Sequence, residues 1–295
     1  MSHAAPPPAS AIRRVPVGAT VAAVYRAVFG HLGLLVRAAA VPLVLSVGIA
    51  MVALVMPPGP GTMLVTGLLA LVPYALFGVA WHRLTLLGPV AGAPVAVPAW
   101  TRRHWKFLGY TVAVMVVGYA VSLPMGIVIG LIASTAQGGL ISGGLAAVIL
   151  GTMAVAVVAL GYVSARLSFV FPAVSVDELY RLSHAWVHTA GQGLRILWIM
   201  VLVAAPMVGV MLAVNVILGS ILVPEASVPV GPDGMHAPGA MRDYVTANVG
   251  EVLLGQVVFS ALNYVLTALL LASISIAFRA ATGWVPAPEP EEPES

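Results

Sequence analysis

The sequence predicts an all-α polytopic membrane protein, a bundle of six spanning helices, on three observations. Hydrophobic residues make up 60% of the 295-residue chain and charged residues only 8%, whereas a soluble domain carries roughly 25% charge. Apolar stretches long enough to cross a hydrocarbon core about 30 Å thick recur along the chain. Nearly all of the 13 Lys and Arg fall on one side of those stretches. With a mean hydropathy of +1.04, these features exclude an ordinary soluble enzyme and a disordered chain. The absence of Cys excludes a disulfide scaffold, a thiolate metal site and cysteine catalysis.

The chain opens with a low-complexity tail, residues 1–18, containing MSHAAPPPAS, and closes with a Pro/Glu-rich tail, 285–295, containing four Glu. Between them lies a membrane domain, 19–284, with spans at about 37–56, 62–83, 108–134, 144–168, 196–222 and 253–278. Pro42, Pro73, Pro124 and Pro206 fall inside spans, where neighbouring helices can re-satisfy the carbonyl that proline frees. The first apolar run begins near residue 37 without a small-residue cleavage site, so no cleavable signal peptide is expected. The one cation in the opposite loops is Arg242. That asymmetry predicts an even number of spans with both termini cytoplasmic. All six Trp (81, 100, 105, 186, 198 and 284) fall on the basic side as well, predicting a one-sided aromatic belt. The outer loop 223–250 carries a Pro232-Asp233-Gly234 turn signal and the polar residues His236, Arg242 and Asp243.

The spans pair off into three similar units. The second span of each pair ends on an arginine followed by a proline six or seven residues on: Arg83 and Pro89, Arg166 and Pro172, Arg279 and Pro286. Each unit also has a basic lead-in, expected to form an amphipathic helix lying on the cytoplasmic face. In 19–37, Arg26, Gly30, Gly33 and Arg37 take one face, and Val21, Val24, Val28, Leu32 and Leu35 the other. In the third lead-in, Ser175-Val-Asp-Glu178 has the form of a capping box. A helix from there would put Asp177, Arg181, His184 and His188 on one stripe, opposite Leu179, Leu182, Trp186 and Ala190.

Residues 166–203, with Arg166, Pro172, Asp177, Ala185-Trp186, Thr189, Gly193 and Arg195 as matching positions, resemble the central signature of a group of bacterial six-helix membrane proteins. The group includes the YciC-like proteins and the membrane domain found beside some glycerophosphodiester phosphodiesterases. The resemblance implies the six-helix fold. It implies no activity, because the group is largely uncharacterised, and with only a short polar tail after the last span the phosphodiesterase reaction is not expected here. The dominance of Ala, Val, Gly, Pro and Arg over Lys and Asn suits a GC-rich bacterium, which would place helical spans in its inner membrane.

Residues 1–176 contain no Asp or Glu but eight Arg and one Lys. A carboxylate near the midplane, the usual mark of ion-coupled transport, is therefore not expected. Arg83, Arg166 and Arg279 are either topology anchors that snorkel to the interface or candidate ligands of anionic lipid headgroups. His184 and His188, at i and i+4, are weak metal candidates, with His82 and His104 on the same side. Thr189-Ala-Gly-Gln-Gly reads as the turn into the fifth span. Asn215, Gln256 and Asn263 are the main intramembrane polar groups, either tying spans five and six together or contacting a solute. No metalloprotease, phosphate-loop or serine-hydrolase motif is present. The expected function is non-enzymatic: engagement of anionic lipid or an envelope partner through the basic face, with no cofactor and no nucleic acid. Homo-oligomerisation or a membrane-protein partner is compatible with it. The alternative is a permease for a small or amphiphilic solute, with its site near spans five and six.

Overall fold

The computed structural model describes residues 13–57, 59–92, 99–134, 143–222 and 240–286. These form helices α1 (Val17–Phe29), α2 (Leu32–Val55), α3 (Pro60–Ala91), α4 (Arg102–Ser134), α5 (Gly143–Leu167), α6 (Val170–Ser175), α7 (Leu182–His188), α8 (Gly193–Leu222), α9 (Ala240–Ala247) and α10 (Val249–Thr282), with no strand among the described residues. Six helices are long and apolar enough to cross a membrane: α2, α3, α4, α5 continuing into α6, α8 and α10. Each overlaps a span expected from the sequence and runs beyond it at the basic end. The turn at 232–234 and His236 lie outside the described residues, as do the two tails apart from a few inner residues.

Helix contacts run in a circuit, α3 to α4 to α5 to α8 to α10 and back to α3. α2 flanks α3 and α10, and α1 lies across α8 and α10. The short α6 packs against α3, α4 and α10, and all six of its residues are buried. It plugs the circuit at the end that carries the cations.

Within the spans, burial is confined to that end. The last buried residues of α2, α4 and α8 are Val47, Thr111 and Val203. The first of α3, α5 and α10 are Pro73, Ala165 and Ser260. Beyond those levels no described span residue is buried. Lipid provides little drive for helices to associate, and packing and hydrogen bonds hold them together instead. A helix satisfies its own backbone in hydrocarbon, so the outer halves can stand apart, while the basic half carries the core around Phe77, Trp81, Phe169 and Ile199.

The amphipathic expectation holds for α1 in period but not in surroundings. Thr20, Val24 and Val28 form its buried stripe, packed on α8 and α10 rather than turned to lipid. The helix breaks at Gly30–His31, and Leu32 is exposed. Among the described residues the second lead-in forms no separate helix, since α4 starts at Arg102 and continues into the span.

The capping box does not form. Ser175 ends α6, and its hydroxyl donates back to the Phe171 carbonyl at 2.8 Å. Asp177 adopts φ +64, which terminates the helix, and the next helix begins only at Leu182. The long polar stripe from Asp177 to His188 is therefore not continuous.

The aromatic belt also divides. Trp105, Trp186 and Trp198 are exposed, but Trp81 is a core residue whose indole N–H donates to the Ala268 carbonyl at 2.8 Å.

Candidate functional site

The three arginines at the span ends share one geometry. Arg83 Nη1 donates to the Ser175 carbonyl at 3.3 Å, Arg166 Nη2 to the Trp186 carbonyl, and Arg279 Nη2 to the Leu86 carbonyl. Ser175 is the last residue of α6, and Trp186 lies in the last turn of α7. Leu86 precedes the α3 kink, where Gly88 takes φ +86 ahead of Pro89. Carbonyls at such ends lack intrahelical donors, and a guanidinium satisfies them with a charge-assisted bond. The first unit's arginine thus reaches the second unit, the second's reaches the third's lead-in, and the third's returns to the first. The arginine–proline pattern in the sequence marks this cycle, with each arginine followed by a helix break.

Arg166 is the most deeply held. It is buried, its Nε donates to Thr189 Oγ1 at 2.9 Å and its Nη1 to the Tyr162 hydroxyl at 3.0 Å. The Trp186 ring lies 3.9 Å from its guanidinium carbon. These partners use the guanidinium to tie α5 to α7. Among the three lipid-headgroup candidates, Arg83 is half-buried and Arg279 exposed.

Other cations line the same end in the open. Arg14, Arg26, Arg37, Arg102, Arg181 and Arg195 are exposed. The two acids here among the described residues are engaged. Glu178 accepts from the Trp284 indole N–H at 2.8 Å, and Asp177 pairs with Arg103, whose Nε donates to Oδ2 at 2.7 Å. The hydrogen bond from Arg103 holds the Asp177 carboxyl below the usual carboxylate range. It outweighs partial burial, and the charges of Arg103, Arg83 and Lys106 act in the same direction.

A group with a lowered folded pKa stabilises the fold above its unfolded pKa, about 4, and loses that contribution as pH falls through the folded value. Asp177→Asn keeps a residue that tolerates positive φ and removes the charge. It is expected to cost less than about 1 kcal/mol at neutral pH, because the pair is exposed. The difference from the parent chain should vanish in strong acid, as read from thermal melting across pH. A larger cost, or one that persists in acid, would show that Asp177 acts through something other than its charge.

His184 and His188 lie on α7 with the Tyr180 ring packed against both, 5.6 Å from each by ring centroids. His188 Nδ1 is 2.6 Å from the Tyr180 hydroxyl, and burial, with a smaller contribution from His184, lowers its pKa. His82 Nδ1 meets Ser275 Oγ at 2.7 Å, and His104 Nδ1 meets Thr101. Among the described residues no three His, Asp or Glu side chains group closely enough to hold a metal ion.

The Thr189–Gly193 stretch does form the turn into α8, with Gly191 at φ +70. It also carries a tie that the sequence did not reveal. Gln192 is buried, accepts from the Val15 amide at 2.7 Å and donates to the Arg13 carbonyl at 2.9 Å, pinning the segment before α1.

The intramembrane polar candidates divide. Gln256 and Asn263 line one cavity of about 310 Å³ between α2, α3 and α10, with Ser46, Tyr74, Ser260, Tyr264 and Thr267. Asn215 sits on an exposed face of α8, outside that lining. The polar site is built on the first pair of spans and the last, and α8 contributes nothing to its lining. No protein-family model, no curated protein and no solved structure matches the chain.

Proposed function

We propose that this chain is a non-enzymatic integral membrane protein of a bacterial cytoplasmic membrane, with both termini inside, that engages anionic lipid headgroups through its cationic end. The observation that carries this reading is the rim of exposed Arg14, Arg26, Arg37, Arg102, Arg181 and Arg195 beside exposed Trp105, Trp186 and Trp198. The two acids near it among the described residues, Asp177 and Glu178, are already engaged by Arg103 and Trp284. Each arginine near an anionic surface contributes about 1 kcal/mol, and indole rings favour the headgroup level. The rim is distinct from the arginines that cap helix ends, whose bonds to carbonyls serve the fold.

Reconstitution in phosphatidylcholine nanodiscs, with and without phosphatidylglycerol, tests the reading. Melting should rise with the anionic fraction, and the gain should shrink as salt screens the surface. Equal melting in the two lipids at low salt would overturn it.

A further inference from the structure

The cavity between α2, α3 and α10 contains hydrogen-bonding groups that the protein leaves open. Asn263 lies near the middle of α10, is exposed to the cavity, and has no hydrogen-bond partner among the described residues. The Tyr74 and Thr267 hydroxyls are in the same condition. Two internal bonds hold the walls: Ser46 Oγ to the Tyr264 hydroxyl at 2.8 Å, and Gln256 Nε2 to Ser260 Oγ at 3.1 Å. An unmatched amide or hydroxyl in hydrocarbon costs a few kcal/mol, so three together at mid-span call for an occupant with matching groups. Among the described residues no Lys, Arg, Asp or Glu lines the cavity, so a charged head would lack a counter-charge.

An apolar groove adjoins it. Leu45, Ile49, Val52 and Leu69, with Gly48 between them, bound about 280 Å³ between α2 and α3. Leu45 and Leu69 are the chain neighbours of the cavity residues Ser46 and Ala70. The cavity lies where burial gives way, with buried Ser260 in its lining, and the groove runs from that level along the same helix pair toward the outer half of the bundle.

We propose that this pair of compartments binds a single amphiphile, with an uncharged polyhydroxyl or amide head in the cavity and a hydrocarbon tail along the groove. The cavity holds about ten water-sized groups, the scale of one sugar ring. The site lies away from the cationic rim and stands independently of the anionic-lipid reading.

The test uses the full chain in phosphatidylcholine nanodiscs, with adducts counted by native mass spectrometry after release. Dodecyl glucoside is the probe, with dodecyl phosphate (same tail, charged head) and glucose (same head, no tail) beside it. One dodecyl glucoside per chain is expected, with dodecyl phosphate and glucose each bound at least tenfold more weakly. Asn263→Leu should weaken binding at least tenfold without lowering the melting temperature, because the amide it removes makes no bond in the fold. Gly48→Leu, where an added Cβ would meet nothing within 4 Å, should weaken dodecyl glucoside and leave the glucose signal unchanged. Equal retention of dodecyl phosphate, binding of glucose as tight as that of the glucoside, or unchanged affinity in Asn263→Leu would each overturn the proposal.

Discussion

Arg166→Gln is expected to lower stability by about 3–4 kcal/mol, measured by thermal unfolding in one fixed detergent. Each of the three guanidinium nitrogens has a partner, on α5 (Tyr162), on α7 (Trp186) or at the residue just past α7 (Thr189), and the Trp186 ring stacks on the group. A hydrogen bond to a charged donor contributes about 1.5–3 kcal/mol, and a desolvated cation–π contact about 2. These contributions do not add fully, and Gln keeps part of the network. Arg166→Lys should recover less than half of the loss, since an ammonium cannot match the fork of donors that meets three partners at once.

Gly193→Ala should act on the same point. A Cβ there would lie 2.6 Å from Arg166 Cδ and from Tyr162 Cε2. Combining it with Arg166→Gln should therefore cost less than the sum of the two single changes. Additive losses would mean that Gly193 is needed for some other reason. An Arg166→Gln protein that melts with the parent would remove the claim that this residue is a structural tie.

Trp81→Ala is expected to cost about 3–5 kcal/mol, the range for truncating a fully packed aromatic residue. The side chain is 1% exposed, stacks on Phe77 with ring centroids 5.9 Å apart, and donates to the Ala268 carbonyl across to α10. Phe77 in turn meets the Tyr264 ring edge-on at 4.9 Å, so the cavity left by Ala would open beside the polar site. Trp81→Phe keeps most of the ring contact and loses the bond, for about 1 kcal/mol. Near-equal losses for Phe and Ala would show that the hydrogen bond, and not the packing, is what joins α3 to α10.

The spans were legible because length and hydropathy are properties of single helices. They are set by the thickness of the hydrocarbon, and partners do not change them. The period of α1 was legible for the same reason: Val24 and Val28, assigned to its apolar face, are buried, and Thr20 extends their stripe. What that stripe would face was not, because the same pattern serves a headgroup layer and a neighbouring helix equally well.

The Ser175–Glu178 signal misled because its geometry is local, whereas the burial of α6 among α3, α4 and α10 is not. Once α6 ends as a plug, Ser175 back-bonds and Asp177 turns the chain. The arginine–proline repeat correctly marked three helix ends, but the carbonyls those arginines cap lie 20, 92 and 193 residues away, beyond any spacing argument. Gln192 was hidden in the same way, since its partners are 177 and 179 residues distant. Of the polar span residues, Gln256 and Asn263 are seven apart and so share a face, which explains why they meet in one cavity. Asn215 was grouped with them by composition alone.

The account divides the arginines into a rim that meets lipid and a cycle that holds the fold. Native mass spectrometry and melting curves on two triple variants, each extracted gently from its own membrane, test that division most directly. In Arg26, Arg102, Arg195→Gln, bound anionic lipid should fall while melting stays within a degree or so of the parent chain. In Arg83, Arg166, Arg279→Gln, melting should drop sharply while the surviving folded fraction retains its anionic lipid. Loss of anionic lipid in the second variant and full retention in the first would contradict the account, and would return the headgroup site to the three arginines at the span ends.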